Sequence, residues 1–194
     1  MLPLLIGGAP CAGKSTLAKA LASERGGIVG HVDDLSDAFK LEVLPERHKY
    51  PWLFSTFRTT AEDFWKNRKP KDLLELEIEQ AKEYWPTLRA LISAKKYDIF
   101  EGVSILPELV RRDCSDMVDA VFLIDTHRER VRRTIAVRGI WGDAKSYADW
   151  IKPLELEWVM LHSDWLRAQA EQYSFPVIDI DEREKTLERV KAVL

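Results

Sequence analysis

The sequence is poor in cysteine. Its 194 residues hold only Cys11 and Cys114, too few and too far apart for a disulfide framework, so a reduced, cytoplasmic setting is the expectation. It lacks any apolar run near the ~20 residues that span a bilayer, and the short run at its start has no positive charges before it, which argues against membrane insertion or a secretory leader. It lacks a basic excess: 29 basic and 32 acidic residues give a net charge of -3. They are mixed along the chain with no basic tail, so nucleic acid is not the expected partner. No internal repeat or low-complexity segment is present, which leaves one ordinary folded domain over 1–194, large enough to bury roughly 70% of its unfolded surface.

What the sequence does contain begins at Leu2. The run Leu2 to Ile6 reads as a buried parallel strand, and Leu17, Ala20, Leu21 and Glu24 recur at helical spacing. Between them, Gly8-Ala9-Pro10-Cys11-Ala12-Gly13-Lys14-Ser15 fits G-x-x-x-x-G-K-[ST], and a strand before it with a helix behind it is the context in which that pattern binds phosphate. Glycine is required where backbone amides turn inward, because a Cβ obstructs positive φ and the approach of an anion. The start of the helix adds unpaired N–H groups and the positive end of its dipole. In this reading Lys14 reaches the β- and γ-phosphates, Ser15 holds Mg²⁺, Thr16 lines the α-phosphate side, and Cys11 is a small filler at a free position.

Strand and helix patterns alternate onward. Ile28 to Val32 reads as a second strand ending in Asp33-Asp34, followed by a helix from about Leu35 to Leu44. Residues 45–70 read as irregular or briefly helical, and a long helix runs from about Asp72 to Lys95 with Pro86 as an expected kink. Tyr97 to Phe100 reads as a third strand closing on Glu101-Gly102, Val118 to Ile124 as a fourth ending in Asp125, and Phe175 to Ile180 as a fifth before a short helix. Such alternation implies right-handed crossovers and a parallel sheet, with ligands beyond the carboxyl ends of its strands. That rule aligns the phosphate loop, Asp33, Glu101 and Asp125 along one edge.

The segment "THRERVRRTIAVRGIWGD" gathers Arg128, Arg130, Arg132, Arg133 and Arg138 before Gly139 and Gly142. A charge run is usually a solvated helix face; the alternative is a lid closing over phosphates, with Gly139 and Gly142 as hinges.

The loop "GAPCAGKS", the strand ending "HVDD", the strand leading to "IFEGVSILPE" and the arginine-rich segment before "RGIWGD" together resemble the small P-loop kinases. These include the adenylate, shikimate and gluconate kinases, chloramphenicol phosphotransferase and the zeta-toxin group. "YDIFEGVSILPELV" and "VDAVFLIDTHRERVRRTIAVR" look closest to the 2-phosphoglycerate kinase-like branch. The resemblance implies an α/β fold with a five-stranded sheet of order 2-3-1-4-5 between helices. It implies ATP with Mg²⁺, and transfer of the γ-phosphoryl to a small acceptor. It further implies a helical acceptor-binding insertion, here 34–95, and a lid, here 126–150.

Asp33 occupies the position of the carboxylate that serves as base or acceptor-binder, and Asp34, directly before Leu35, suits a helix cap. Glu101 would hold Mg²⁺ through water and stand beside the acceptor. Arg133 and Arg138 would act on the nucleotide and the transferring group. The loop near Asp179 and Asp181 would lie by the adenine. His31 is expected to pack in the sheet, and Asp125 to cap the helix after Thr126. In the insertion, Arg58 and Trp52 stand among many aromatics and bases, and are the expected contacts of a small anionic acceptor bearing a hydroxyl; packing of a small helical subdomain would explain the same composition. A nucleoside or nucleotide kinase, or a regulatory ATPase without an acceptor, would share the phosphate loop. The sequence has neither the N-K-x-D guanine motif nor the L-S-G-G-Q signature.

Overall fold

The computed structural model describes residues 2–140, 142–180 and 183–194. Five strands form one parallel sheet: β1 (Leu4–Gly8), β2 (Val29–His31), β3 (Ile99–Gly102), β4 (Asp119–Ile124) and β5 (Val177–Asp179), in the order β2-β3-β1-β4-β5. This is the order expected from the resemblance. β1 lies at the centre, and every residue of it is buried. Alternate residues of a strand face opposite sides of a sheet. Leu5, Phe100, Phe122 and Ile124 therefore join one core cluster, while Leu4, Ile6, Ile99, Val121 and Leu123 join another on the opposite face. Burial of both faces explains why these strands read as unbroken apolar runs rather than as alternating ones.

The second of these cores is closed by α1 (Lys14–Arg25) and α8 (Arg183–Lys191). The first is closed by α4 (Pro70–Ser93), α5 (Pro107–Asp113) and α7 (Lys152–Gln172), through Tyr84, Trp85, Leu88, Leu109 and Leu166. α4 starts with Pro70 at its first position, where a missing N–H costs nothing, and it remains one helix through Pro86.

A third core of buried residues joins α3 (Ala61–Trp65), the start of α4, α6 (Arg128–Arg138) and α7 through Phe64, Trp65, Leu73, Ile135 and Trp158. Thr60 caps α3 by accepting from the Asp63 amide at 3.1 Å. Residues 44–49 form a 3-10 turn after α2 (Val32–Glu42). Two helices were not legible beforehand: α5, and α7, which leads from the α6 region to β5. Among the described residues no helix is long and apolar enough to cross a membrane.

Candidate functional site

The connection from β1 to α1 must pass close to β4. Ala9 N donates to Leu123 O at 3.0 Å, and a Cβ on Gly8 would stand 2.7 Å from that same carbonyl. Gly13, at φ 76°, turns the chain into α1, and Cys11 adopts φ 65° although it is not glycine. α1 has no side-chain cap and no acid in its first turn. Its first amides, which no helix can satisfy internally, are thus left for a ligand. Lys14 is buried and donates from Nζ to Ala9 O at 2.9 Å. Burial lowers its pKa, against the opposing pull of the Asp33 and Glu101 carboxylates.

α2 starts earlier than expected. His31 is its N-cap, without a side-chain cap bond, and Asp33 and Asp34 both lie in its first turn. Asp34 is therefore not the cap; both acids face the positive end of the dipole instead. Gly102 permits this start to approach β3, because a Cβ there would meet Val32 Cβ at 2.7 Å. Asp33 faces the cleft, open to solvent yet crowded by protein, and burial raises its pKa while Lys14 opposes the rise.

Glu101, buried in the body of β3 rather than just past its end, accepts from Ser15 Oγ at 3.0 Å and pairs with His31 Nδ1 at 2.6 Å. His31 is thus engaged with the site, not merely packed in the sheet. β2 and β3 pair in register at His31 and Glu101, which sets the contact.

One cavity of about 230 Å³ collects Pro10, Cys11, Gly13, Lys14, Ser15 and Thr16 with Asp33, Glu101 and Arg138. Arg138 ends α6, and Gly139 follows at φ 73°, where a Cβ would lie 2.3 Å from Gly142 O. Only glycine allows this turn. Arg133 is not brought to the cavity: its side chain is 72% exposed, bonded to Glu129 at 3.2 Å, and it lines an open depression with His127, Arg130 and Thr134. Arg132 also pairs with Glu129, Arg128 with Glu157, and Arg130 with the buried Asp125 at 2.6 Å. Asp125 additionally accepts from the His127 amide, but His127 is the N-cap of α6, so Asp125 is a clamp for Arg130 and not the cap. Trp141 lies outside the described residues.

A second cavity, of about 210 Å³, shares Glu77, Ile140 and Trp158 with the first and adds Thr56, Trp65, Leu73, Gln80 and Glu155. Arg58 and Trp52 line neither. The Arg58 guanidinium lies over the Phe57 ring at 5.3 Å, and Trp52 is 46% exposed with its carbonyl accepting from Gln80 Nε2 at 3.2 Å. Most aromatics of the segment pack on one another instead: Phe39 with Tyr50, Phe54 with Phe57, and Phe64 with Trp65. Sequence reasoning missed Glu77 and Trp158. The signal for Glu77 was a carboxylate inside the apolar stripe Leu73, Ala81, Tyr84, Leu88 of α4.

The two cavities are bounded by a tied segment. Tyr147 Oη donates to Glu155 Oε2 at 2.7 Å and accepts from the Ile140 amide at 3.1 Å. Burial, then the Glu155 carboxylate, push the Tyr147 hydroxyl up to about 12. Ala148 N donates to Glu62 Oε1 at 3.0 Å, which joins the same segment to α3.

A third, mainly apolar cavity of about 150 Å³ lies on the other side of the phosphate loop, between Gly13, Thr16 and Leu17 of one wall and Ile180 and Leu187 of the other. Asp179 is occupied elsewhere, accepting from Thr126 Oγ1 at 2.5 Å and Arg167 at 2.9 Å. Asp181 lies outside the described residues.

For Mg²⁺, the chemistry of the donors fits. Magnesium keeps several waters and needs only one or two protein oxygens beside substrate phosphates, and Ser15 Oγ and Glu101 supply hard oxygens already in contact. Among the described residues no group of three or more His, Cys, Asp or Glu forms a separate metal cage.

No family model and no curated protein matches the sequence. Solved structures do match its fold. A shikimate kinase from Bacteroides thetaiotaomicron superimposes with a TM-score of 0.52 at 14% identity, covering 98% of this chain and 97% of its own. A sugar kinase from a Janibacter species gives 0.51 at 18% identity, covering 100% and 94%. A gluconokinase from Sinorhizobium meliloti gives 0.51 at 12% identity, covering 98% and 89%. At these identities the likeness is one of fold, and the chain has the five-stranded parallel fold that these P-loop kinases share.

Proposed function

We propose that the chain is an ATP-dependent phosphotransferase that moves the γ-phosphoryl group to a hydroxyl of a small molecule. The observation that carries this reading is the meeting of Lys14, Asp33 and Arg138 in one cavity that shares Glu77, Ile140 and Trp158 with a second. A regulatory ATPase needs the first cavity only, so the second favours a kinase. The apolar slot beside Thr16 suits the base of the nucleotide. The domain is read as carrying an acceptor-binding insertion at 34–95 and a lid at 126–150.

The nucleotide's phosphates rest on the first amides of α1, with Lys14 on their β- and γ-oxygens. Mg²⁺, held by Ser15 and through water by Glu101, would neutralise phosphate charge when bound. Asp33 accepts the proton of the acceptor hydroxyl as its oxygen bonds to the γ-phosphorus and the bond to the β–γ bridging oxygen breaks. Arg138 stabilises the charge on the transferring group. Positioning and charge stabilisation supply most of the catalysis in such transfers. The stretches that look like the 2-phosphoglycerate kinase-like branch support a small-molecule acceptor, while Arg58, the expected contact of an anionic one, lines neither cavity.

Incubation with γ-labelled ATP, Mg²⁺ and a metabolite panel tests the reading: label should appear in an acceptor, and appearance only as free phosphate would return the regulatory ATPase. The base is tested separately. Asp33→Asn should lower turnover ~10²–10⁴-fold while nucleotide binding is kept, and Asp34→Asn should cost little. Because a base must be deprotonated, activity should rise as pH rises through the Asp33 pKa. Burial sets that limb above the ordinary aspartate range, and Asp33→Asn should erase it. Equal losses from both substitutions would remove Asp33 from the role.

A further inference from the structure

We infer that His31 is a positioning residue for the cation of the phosphate site: its Nδ1–H fixes the Glu101 carboxylate, and through it the Ser15 hydroxyl, in the pose that receives Mg²⁺. The inference rests on the phosphotransferase reading for the metal but not for the geometry.

Two donors converge on one oxygen. Glu101 Oε1 accepts from Ser15 Oγ at 3.0 Å and pairs with His31 Nδ1 at 2.6 Å. A carboxylate, the form a cation site requires, can only accept, so the hydrogens of both bonds come from the partners. His31 therefore carries a proton on Nδ1, and the Ser15 hydroxyl hydrogen points at Glu101. With that hydrogen turned aside, the Ser15 lone pairs are left for a cation, and Ser15 lines the phosphate cavity. The other Glu101 oxygen, Oε2, accepts no hydrogen bond among the described residues and is not one of the sealed, partnerless atoms. It is the oxygen left to hold a water of the metal.

His31 stands behind this site rather than in it. It ends β2, at the edge of the sheet, and is not among the residues lining the cavity. The parallel register sets His31 opposite Glu101, so the imidazole meets the carboxylate from the neighbouring strand. The Glu101 side chain is 6% exposed and that of His31 33%, which shields the bond on its acidic side, where charge-assisted bonds are strong. Ser15 alone would hold Glu101 by a hydroxyl that is free to rotate. Lys14, the nearest cation of the cavity, is turned to Ala9 O instead. The competing use of His31 is a plain tie between β2 and β3, which would affect stability but not the metal.

The test uses the intact protein, Mn²⁺ as the probe cation and a non-hydrolysable ATP analogue. Calorimetry gives the analogue's dissociation constant with and without Mn²⁺, and the ratio reports how firmly the protein holds the cation. In His31→Phe, which keeps a ring and removes the donor, that ratio should fall about tenfold, the lower end of what orienting groups contribute to metal affinity. The metal-free constant should stay unchanged. The Mg²⁺ concentration for half-maximal transfer should rise by a similar factor, with excess Mg²⁺ restoring turnover. His31→Asn sets an amide donor near the place of Nδ1, at an N-cap that suits asparagine, and should recover most of the ratio. Glu101→Gln should cost at least as much as His31→Phe, and the double variant no more than Glu101→Gln alone, because the pair acts as one unit. Nitrogen NMR of the wild-type protein should show His31 protonated at Nδ1, a readout that needs neither metal nor turnover. A bare Nδ1, a wild-type ratio of one, additive losses, no recovery in His31→Asn, or an unchanged ratio in a folded His31→Phe each overturns the inference. The expected ratios without label transfer sustain it while refuting the kinase reading, and Mg²⁺-dependent transfer indifferent to His31→Phe does the reverse.

Discussion

Lys14→Ala should reduce phosphoryl transfer by about 10³-fold or more while leaving the unfolding temperature unchanged or raised. The loss follows from where the ammonium sits. Buried at the start of α1, it acts in a site shielded from water, where one preorganised donor to developing charge is worth ~10²–10³, and Lys14 contributes a full charge besides. The stability expectation has the opposite sign for a physical reason. Burial lowers the Lys14 pKa, so folding disfavours its charged form. That penalty is fully present below the folded pKa and fades as pH rises through it to the unfolded value. Alanine removes it at neutral pH, offset by the packing of the lysine stem. Turnover near normal in Lys14→Ala would defeat the phosphate-site reading; a sharp fall in unfolding temperature would show the lysine to be structural.

Arg138→Ala should have an effect of similar size, within the ~10³–10⁵ range of an arginine that meets the transferring phosphoryl, expressed in kcat more than in nucleotide affinity. The comparison is Arg133→Ala, which removes a side chain 72% exposed and ion-paired to Glu129 one turn away; such surface pairs are worth little, and a change of a few-fold at most is expected. Steady-state kinetics on both variants decide the matter. Two mild phenotypes would make α6 a solvated face throughout.

The contrast between these arginines shows what was legible in advance. The geometry of the Gly8–Ser15 loop could be read because its pattern is contiguous: eight adjacent residues carry the backbone requirements, the cation and the hydroxyl. Asp33 and Glu101 could be read because strand ends in a parallel sheet fall along one edge. The arginine cluster could not be sorted by composition, since partners from other elements decide the outcome: Asp125 takes Arg130 and Glu157 takes Arg128. Only Arg138, at the point where Gly139 turns the chain, lines the cavity.

The wall of the second cavity was hidden for a different reason. In "LLELEIEQAKE" Glu77 is one of several glutamates, and only the packing of α4 on α7 distinguishes it from its solvated neighbours. α7 itself escaped notice because Glu155, His162 and Ser163 interrupt its buried face. Of the aromatics of 47–69, Trp65 lines the second cavity; most of them pack on neighbouring rings, which composition alone does not separate from ligand contact.

The Tyr147 hydroxyl ties a residue that borders both cavities to a wall of the second. Ile140 borders both of them, and its amide is held to Glu155, a wall of the second, through that single phenol. An occupant that draws residues 138–140 inward must then shift the wall that meets the other occupant. The two affinities become reciprocal: whatever factor the nucleotide applies to the acceptor's dissociation constant, the acceptor applies to the nucleotide's. Titrations in both orders, with a non-hydrolysable ATP analogue, should give equal factors well above one. In Tyr147→Phe, which keeps the ring and removes the bridge, that shared factor should fall toward one, uncoupling the substrates without abolishing either site.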